Sequence, residues 1–301
     1  MKSGLVLAVC IILSIGVTAE KVRSGSKMLK MSTTTSLQIS GLFDILLPEL
    51  EKETGIGVKI IAKGTGAAIR DGIDGNVDLI FIHSKSREEK FVRDGYGTKR
   101  YPVMHNDFVI LGPSSDPAGI KGMRDAVAAF EKIALIKIPF VSRGDDSGTH
   151  TKEQNLWEKT GLNLKKKVTY IRTKGIKREI GFLHPEGLGR WYLSIGQGMG
   201  KAMTFSEEKQ AYILADRGTF IKYKHGRKQG LDLEVLCEGD PILANPYGVI
   251  PINPSRHPHV NHVLAKIFVE WVVSKRGQNI IANYRLHGKA LFYPDGKVIF
   301  K

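Results

Sequence analysis

The sequence predicts an α/β fold with largely parallel sheets. Three observations carry that reading. Short apolar, β-branched runs alternate with segments of helical periodicity along most of the chain. The 301 residues, 42% hydrophobic and 25% charged, suffice for a sizeable core and two globular units. No internal repeat, low-complexity tract or Pro/Ser linker interrupts the alternation.

The first residues stand apart from it. They open with Lys2, run apolar from Leu5 to Val17 and close on Val17-Thr18-Ala19, a small-residue cleavage pattern. This is the layout of a secretory signal over 1–19, too short for a comfortable membrane span, so the mature chain is expected to begin near Glu20. Leu7-Ala8-Val9-Cys10 is a faint version of a lipoprotein site. The expected location is therefore outside the cytoplasm: periplasmic, or at the cell surface if Cys10 carries a lipid. With Cys10 removed, Cys237 has no partner for an internal disulfide and reads as a buried strand residue.

After a leader at 20–27, "MLKMSTTTS" (28–36) reads as a strand ending in a hydroxyl-rich loop. Residues 37–55 have apolar positions at helical spacing, with Gly55 as a stop and Pro48 as a kink or break. "VKIIAK" (58–63) is a strand, "GTG" (64–66) a tight loop, and 67–75 a short helix. "VDLIFIH" (77–83) is a buried strand, 86–95 a helix, and "DFVILGP" (107–113) a strand stopped by Pro113. The second half repeats the pattern: "PFVSRGDDSGT", a helix at 150–161, and "SIGQGMG" (194–200) leading into a helix at 201–216. Strands at 231–239 and 247–253 precede one or two helices over 257–284.

The net charge of +15 calls for an anionic partner: nucleic acid, a membrane surface or a small anion. Export argues against nucleic acid. Three loops then single out the small anion. Thr33-Thr34-Thr35-Ser36, Gly64-Thr65-Gly66 and Ser147-Gly148-Thr149 each follow a strand and open a helix, and Gly196-Gln197-Gly198-Met199-Gly200 is a fourth of that kind. A helix start offers free N–H groups and acts as roughly +0.5 charge, so three supply about +1.5. Glycine admits a ligand close to the backbone, hydroxyls donate, and the Arg143 guanidinium is a fork that fits tetrahedral oxyanions. Taken singly, each Ser or Thr is an ordinary N-cap. Recurrence, with Arg143 in register, shifts the balance toward a ligand. Of Asp145 and Asp146, one is expected to orient Arg143 through a salt bridge, since a carboxylate touching a dianion would repel it.

At these residues the chain resembles the exported substrate-binding proteins of tungstate ABC transporters. The likeness runs from about Met31 to Tyr293 through "STTTS", "GLFDILLPELEKETG", "KGTG", "EEKFVRDGYG", "PVMHNDFVILGP", "PFVSRGDDSGT", "GQGMG", "AYILADRGT" and "EGDPILANPYGVI". "RGDDSGT" is also similar to the Arg-x3-Ser-Gly-Thr anion loop of phosphate-binding relatives. The resemblance implies a two-lobed, type II periplasmic-binding-protein fold with helices on both sheet faces and the ligand in the cleft. It implies one lobe from 27–111 and 247–301, the other from 112–246, with crossovers near Leu111–Pro113 and Asn245–Gly248. It further implies tungstate or molybdate as ligand, a membrane permease as partner, a monomer, and no cofactor, metal or catalysis. The implied ligand set is Thr34, Thr35, Ser36, Thr65, Gly66, Arg143, Ser147, Gly148 and Thr149, with Gln197, Gly198, Met199 and Tyr212. Asp78 and His83, at strand ends, also face the expected cleft, Asp78 as a structural acceptor. The segment at about 165–187 is longer and more basic than the family pattern and reads as a surface insertion.

Other readings compete. The same fold serves phosphate and sulfate. Ser147, with His150 and an aspartate nearby, is a candidate nucleophile of a secreted serine hydrolase, though no G-x-S-x-G elbow is present. His257, His259 and His262 have partial zinc spacing without an acidic or cysteine ligand. The G-x-G-x-G at 196–200 matches neither the dinucleotide fingerprint nor a P-loop.

Overall fold

Tyr101–Gly112 is a twelve-residue strand whose last five residues are all buried, and the rest of the molecule is arranged along it. The computed structural model describes residues 27–173, 176–185 and 191–297. In chain order these form β1 (Lys27–Thr34), α1 (Thr35–Ile39), α2 (Leu42–Thr54), β2 (Ile56–Lys63), α3 (Thr65–Ile73), β3 (Leu79–Ile82), α4 (Lys85–Arg93) and β4 (Tyr101–Gly112). There follow α5 (Ala126–Ile136), β5 (Phe140–Ser142), α6 (Gly148–Lys159), β6 (Leu164–Thr173), β7 (Ile176–Pro185), β8 (Tyr192–Ser194) and α7 (Met199–Glu208). The chain closes through β9 (Tyr212–Asp216), α8 (Arg217–Gly226), β10 (Glu234–Cys237), β11 (Ala244–Pro251), α9 (His262–Val272) and α10 (Lys275–Asn283) before short C-terminal strands.

The main sheet runs β2-β1-β3-β11-β4-β9-β5-β8, with β10 also on β4. β1 is parallel to β2 and β3, and β5 is parallel to β8 and β9. The strands that join the two halves, β4 and β11, pair antiparallel with their neighbours. The sheet is therefore mixed, where the sequence suggested a mostly parallel one. The joining strands run against the parallel sets on either side, which the strand–helix alternation does not reveal. β3 and β9, LIFI and YILAD, are buried throughout, as strands covered on both faces must be.

Pairing along β4 changes at one point. Asp107 is opposite Ala244 of β11, and Phe108 is opposite Asp216 of β9. The switch lies three or four residues before Leu111. Arg217 braces it, its Nε and Nη2 donating to Asp107 at 2.6 and 2.5 Å. The return passes through a 3-10 turn at Pro241–Leu243 into β11, slightly ahead of the expected Asn245–Gly248.

Three apolar clusters form the core. One packs Ile69, Ile80, Ile82 and Phe91 beneath α3 and α4. A second is aromatic, with Phe130 and Trp157 ring centroids 4.4 Å apart under α5 and α6. The largest, from Leu29 to Phe292, extends over both halves of the sheet.

Two elements differ from expectation. The helix read over 37–55 is two helices, broken at Gly41, whose φ of +82 no helix interior accepts; Pro48 sits inside α2 on its exposed side. The helix read over 201–216 ends at Glu208, and Tyr212–Asp216 is strand β9. Gln210 takes a left-handed φ of +48, and the apolar run behind it is as compatible with a buried strand as with a helix. The basic segment is the β6–β7 hairpin, ten residue pairs long. It rests on the second half through Phe182, stacked 5.7 Å from Tyr192, and through Leu183 N–H, which donates to Gln154 Oε1. Lys165, Lys166 and Lys167 are exposed. The expected secretory signal, 1–19, lies outside the described residues.

Candidate anion-binding site

A cavity of about 320 Å³ opens between the halves, and two of the loops flagged by their sequence line it together with Arg143. Thr35 and Ser36 come from the β1–α1 turn, Arg143 from the end of β5, and Gln197, Gly198, Met199, Gly200 and Lys201 from the start of α7. Ile39, Thr219 and Tyr223 complete it.

Arg143 is 7% exposed. Its Nη2 donates to Asp145 Oδ2 at 2.5 Å, and its Nη1 is 3.4 Å from Thr149 Oγ1. Its Nε–H has no partner among the described residues, although the atom is buried. A buried, unpartnered guanidinium N–H on a cavity wall is costly unless a ligand accepts from it. Asp145 is the carboxylate that orients the arginine. Its second oxygen accepts from Ser147 N–H at 3.2 Å, so both are committed.

The helix starts are not equivalent. Ser147 Oγ accepts from His150 N–H at 3.2 Å, and Gly148 N–H donates to Thr65 Oγ1 at 3.0 Å. Thr34 Oγ1 faces Leu37 N–H at 3.4 Å and Ser36 Oγ at 3.2 Å. By contrast, α7 begins at Gly198 with no side-chain cap. Its first turn carries Lys201, a cation that the helix dipole disfavours there. That position was legible as a signal for an anion and was not read as one.

The Ser36 hydroxyl is also 3.1 Å from His83 Nε2, whose Nδ1 is 2.9 Å from Asn245 Oδ1. Asn245 is held in that orientation by its amide, which donates to Asn106 Oδ1 at 2.7 Å. Burial holds His83 below the usual imidazole range, and the Arg143 charge acts the same way. The neutral ring carries its proton on Nδ1 and accepts at Nε2, which fixes the Ser36 side chain against the cavity.

The comparisons with known proteins decide the family. The PBP superfamily domain matches residues 19–276. A tungstate-binding protein TupA from Peptoclostridium acidaminophilum is 42% identical over 269 residues, 88% of this chain and 85% of that one. The chain belongs to the tungstate-binding protein family. A putative ABC transporter anion-binding protein of Haloferax volcanii is 42% identical over 272 residues, 89% of this chain and 72% of that one. The solved tungstate-binding protein of Desulfovibrio alaskensis matches with a TM-score of 0.76 at 40% identity, covering 90% of this chain and 100% of that one. The fold is the two-lobed one of extracytoplasmic solute-binding proteins.

Within this family frame the expected residues sort as follows. Thr35, Ser36, Arg143, Gln197, Gly198 and Met199 line the cavity. Thr34, Ser147 and Thr149 are buried behind it, Thr149 against Arg143. Thr65 contacts the other lobe through Gly148, and Gly66 lies against Asp146. Tyr212 is a correction. At the far end of β9 its hydroxyl donates to Asp116 Oδ1 at 2.8 Å and accepts from Ala118 N–H at 2.8 Å, away from the cavity. The family resemblance implied Tyr212 by loop-to-loop matching; the pairing of β9 with β5 instead leaves its hydroxyl on Asp116.

The competing readings meet direct geometry. Ser147 Oγ caps α6, and His150 Nδ1 accepts from Asp146 N–H at 3.3 Å, so the pair is not a nucleophile and its base. The protein is a solute-binding protein, not a hydrolase. His257 Nε2 and His259 Nε2 lie 2.9 and 2.8 Å from the carbonyls of Ile73 and Gly75, tying their loop to the end of α3. Asp78 accepts from the N–H groups of Lys30 and Asn261, both at 2.7 Å, as a structural acceptor. Cys237 is buried, and burial pushes its thiol up to about 12.

Proposed function

We propose that this protein captures tungstate or molybdate in the cavity between its lobes and delivers it to the permease of an ABC transporter. One observation carries the reading. Arg143, with an unpartnered N–H, Thr35 and the uncapped start of α7 line a single cavity. Dipoles and donors converge there with a guanidinium whose own counter-charge, Asp145, is turned away to hold it. Such a site stabilises a dianion without a metal.

The commitment of both Asp145 oxygens bears on selectivity. Phosphate keeps a proton near neutral pH and needs an acceptor for it, whereas tungstate and molybdate are fully ionised. The names of the relatives favour tungstate. Lobe closure, with hinges at the β4 pairing switch and the 3-10 turn before β11, removes water and strengthens each polar contact.

Calorimetric titration of the mature protein with tungstate, molybdate, sulfate and phosphate, at fixed pH and salt, tests this. Tight one-to-one binding of the first two and silence from the others is expected. Absence of heat with every oxyanion removes the proposal.

A further inference from the structure

Asp145 and Asp146 are neighbours with opposite orientations. Asp145 turns inward to Arg143. Asp146, at a left-handed φ of +58, turns across the cleft to the other lobe. Its Oδ1 is 3.0 Å from Arg87 Nη1 on α4, and the same nitrogen is 3.3 Å from its carbonyl oxygen. Its Oδ2 is 4.0 Å from Arg70 Nη1 on α3. Opposite it stands Gly66, where a Cβ would come within 2.2 Å of that oxygen. Two residues on, Gly148 N–H donates to Thr65 Oγ1, and Gly148 packs so close to His83 that a Cβ would meet its ring and carbonyl at 3.2 Å.

Residues 146–148 therefore fasten one lobe to α3, α4 and β3 of the other, immediately before the helix that carries Thr149. None of these contacts survives separation of the lobes. We propose that Asp146 and Arg87 form a cross-lobe clamp that sets how long a bound anion is retained. The pair touches the cavity only through its neighbours, so both are positioning residues. This also gives the Gly-Thr-Gly loop a closing role: Thr65 receives the Gly148 N–H and Gly66 leaves room for the carboxylate. The inference rests on the oxyanion-receptor reading for its ligand, but closure can be read without any ligand.

The Asp146 and Arg87 side chains are 38% and 27% exposed, so the pair is partly screened. Asp146→Asn keeps the side-chain shape and tolerates the left-handed backbone. Stopped-flow measurement should show tungstate leaving about three- to tenfold faster, with an association rate changed less than about twofold. Arg87→Gln should do the same, and the double variant should add little. Added salt should speed release from the wild type more than from Asp146→Asn. Spin labels at Glu89 and Glu158, on opposite lobes, report closure with no anion present. Asp146→Asn should shift their distance distribution outward. Unchanged release and an unchanged distribution overturn the clamp. If the wild type binds no tungstate, the oxyanion reading fails while the distance measurement still decides the clamp.

Discussion

Arg143→Ala is the most direct perturbation of the site. The side chain is 7% exposed and is the one guanidinium on the cavity wall among the described residues. Each charge-assisted hydrogen bond it makes to an oxyanion contributes about 1.5–3 kcal/mol, so two amount to about 3–6 kcal/mol. At about 1.4 kcal/mol per decade, affinity should fall by roughly a hundredfold to ten-thousandfold. The variant also strands Asp145, whose side chain is 14% exposed, next to the incoming dianion. Arg143→Ala/Asp145→Asn should therefore bind better than Arg143→Ala alone, a non-additive pattern that loss of a ligand contact by itself does not produce. Arg143→Lys keeps the charge without the fork and should fall between wild type and alanine. Calorimetry measures all four proteins, and circular dichroism confirms that each is folded. Binding by Arg143→Ala within about tenfold of wild type refutes the assignment of Arg143 as the principal ligand group.

Gly148→Ala places a Cβ 3.2 Å from His83 and should hold the lobes apart; overpacking of about 1–3 kcal/mol predicts a roughly ten- to hundredfold affinity loss with little change in the unfolding midpoint. Lys201→Gln should slow tungstate association by about two- to tenfold at low ionic strength and converge with wild type near about 0.5 M salt, measured by stopped-flow fluorescence. Glu153 is buried beneath Ser142, Trp157 and Tyr192, and burial raises its carboxyl to about 7. Between its unfolded and folded values the native state holds a proton that the unfolded chain releases. Stability from this group is thus full below about 4.5 and lost as pH rises through 7, a swing of order 3 kcal/mol. Urea midpoints at about pH 5 and pH 8 should differ less for Glu153→Gln than for wild type.

What the sequence revealed follows physical range. Ser-Gly-Thr ahead of a helix, with an arginine four residues upstream, is a local pattern, and α6 begins at Gly148 behind its Ser147 cap as that pattern requires. The role of each aspartate was not local. Either could have braced Arg143, and the choice depends on the left-handed turn at Asp146, which directs one carboxylate inward and the other toward Arg87. Thr65 was legible as a loop hydroxyl. Its partner, Gly148 N–H, lies 83 residues away on the other lobe and is reached only when the lobes meet. The element that carries Tyr212 was illegible for a different reason. A five-residue apolar run has no period that separates strand from helix, and only the parallel pairing of Phe140 with Tyr212 settles it.

The site's charge balance explains why closure should govern retention while charge governs capture. Arg143 is paired with Asp145, and Arg87 with Asp146, so two of the nearby cations are already offset within the protein. What remains for a dianion is Lys201, the roughly +0.5 of the uncapped α7 start, and hydrogen-bond donors fixed by their neighbours. Long-range attraction rests on the first of these and on the basic surface, both exposed to salt. The donors act at contact and gain strength only once water is excluded. Ionic strength should therefore slow association strongly and speed release only by loosening the Asp146–Arg87 pair, so that affinity falls with salt mainly through the association rate. A release rate that rises as steeply with salt as the association rate falls would mean that net charge, rather than the fixed donors, holds the anion.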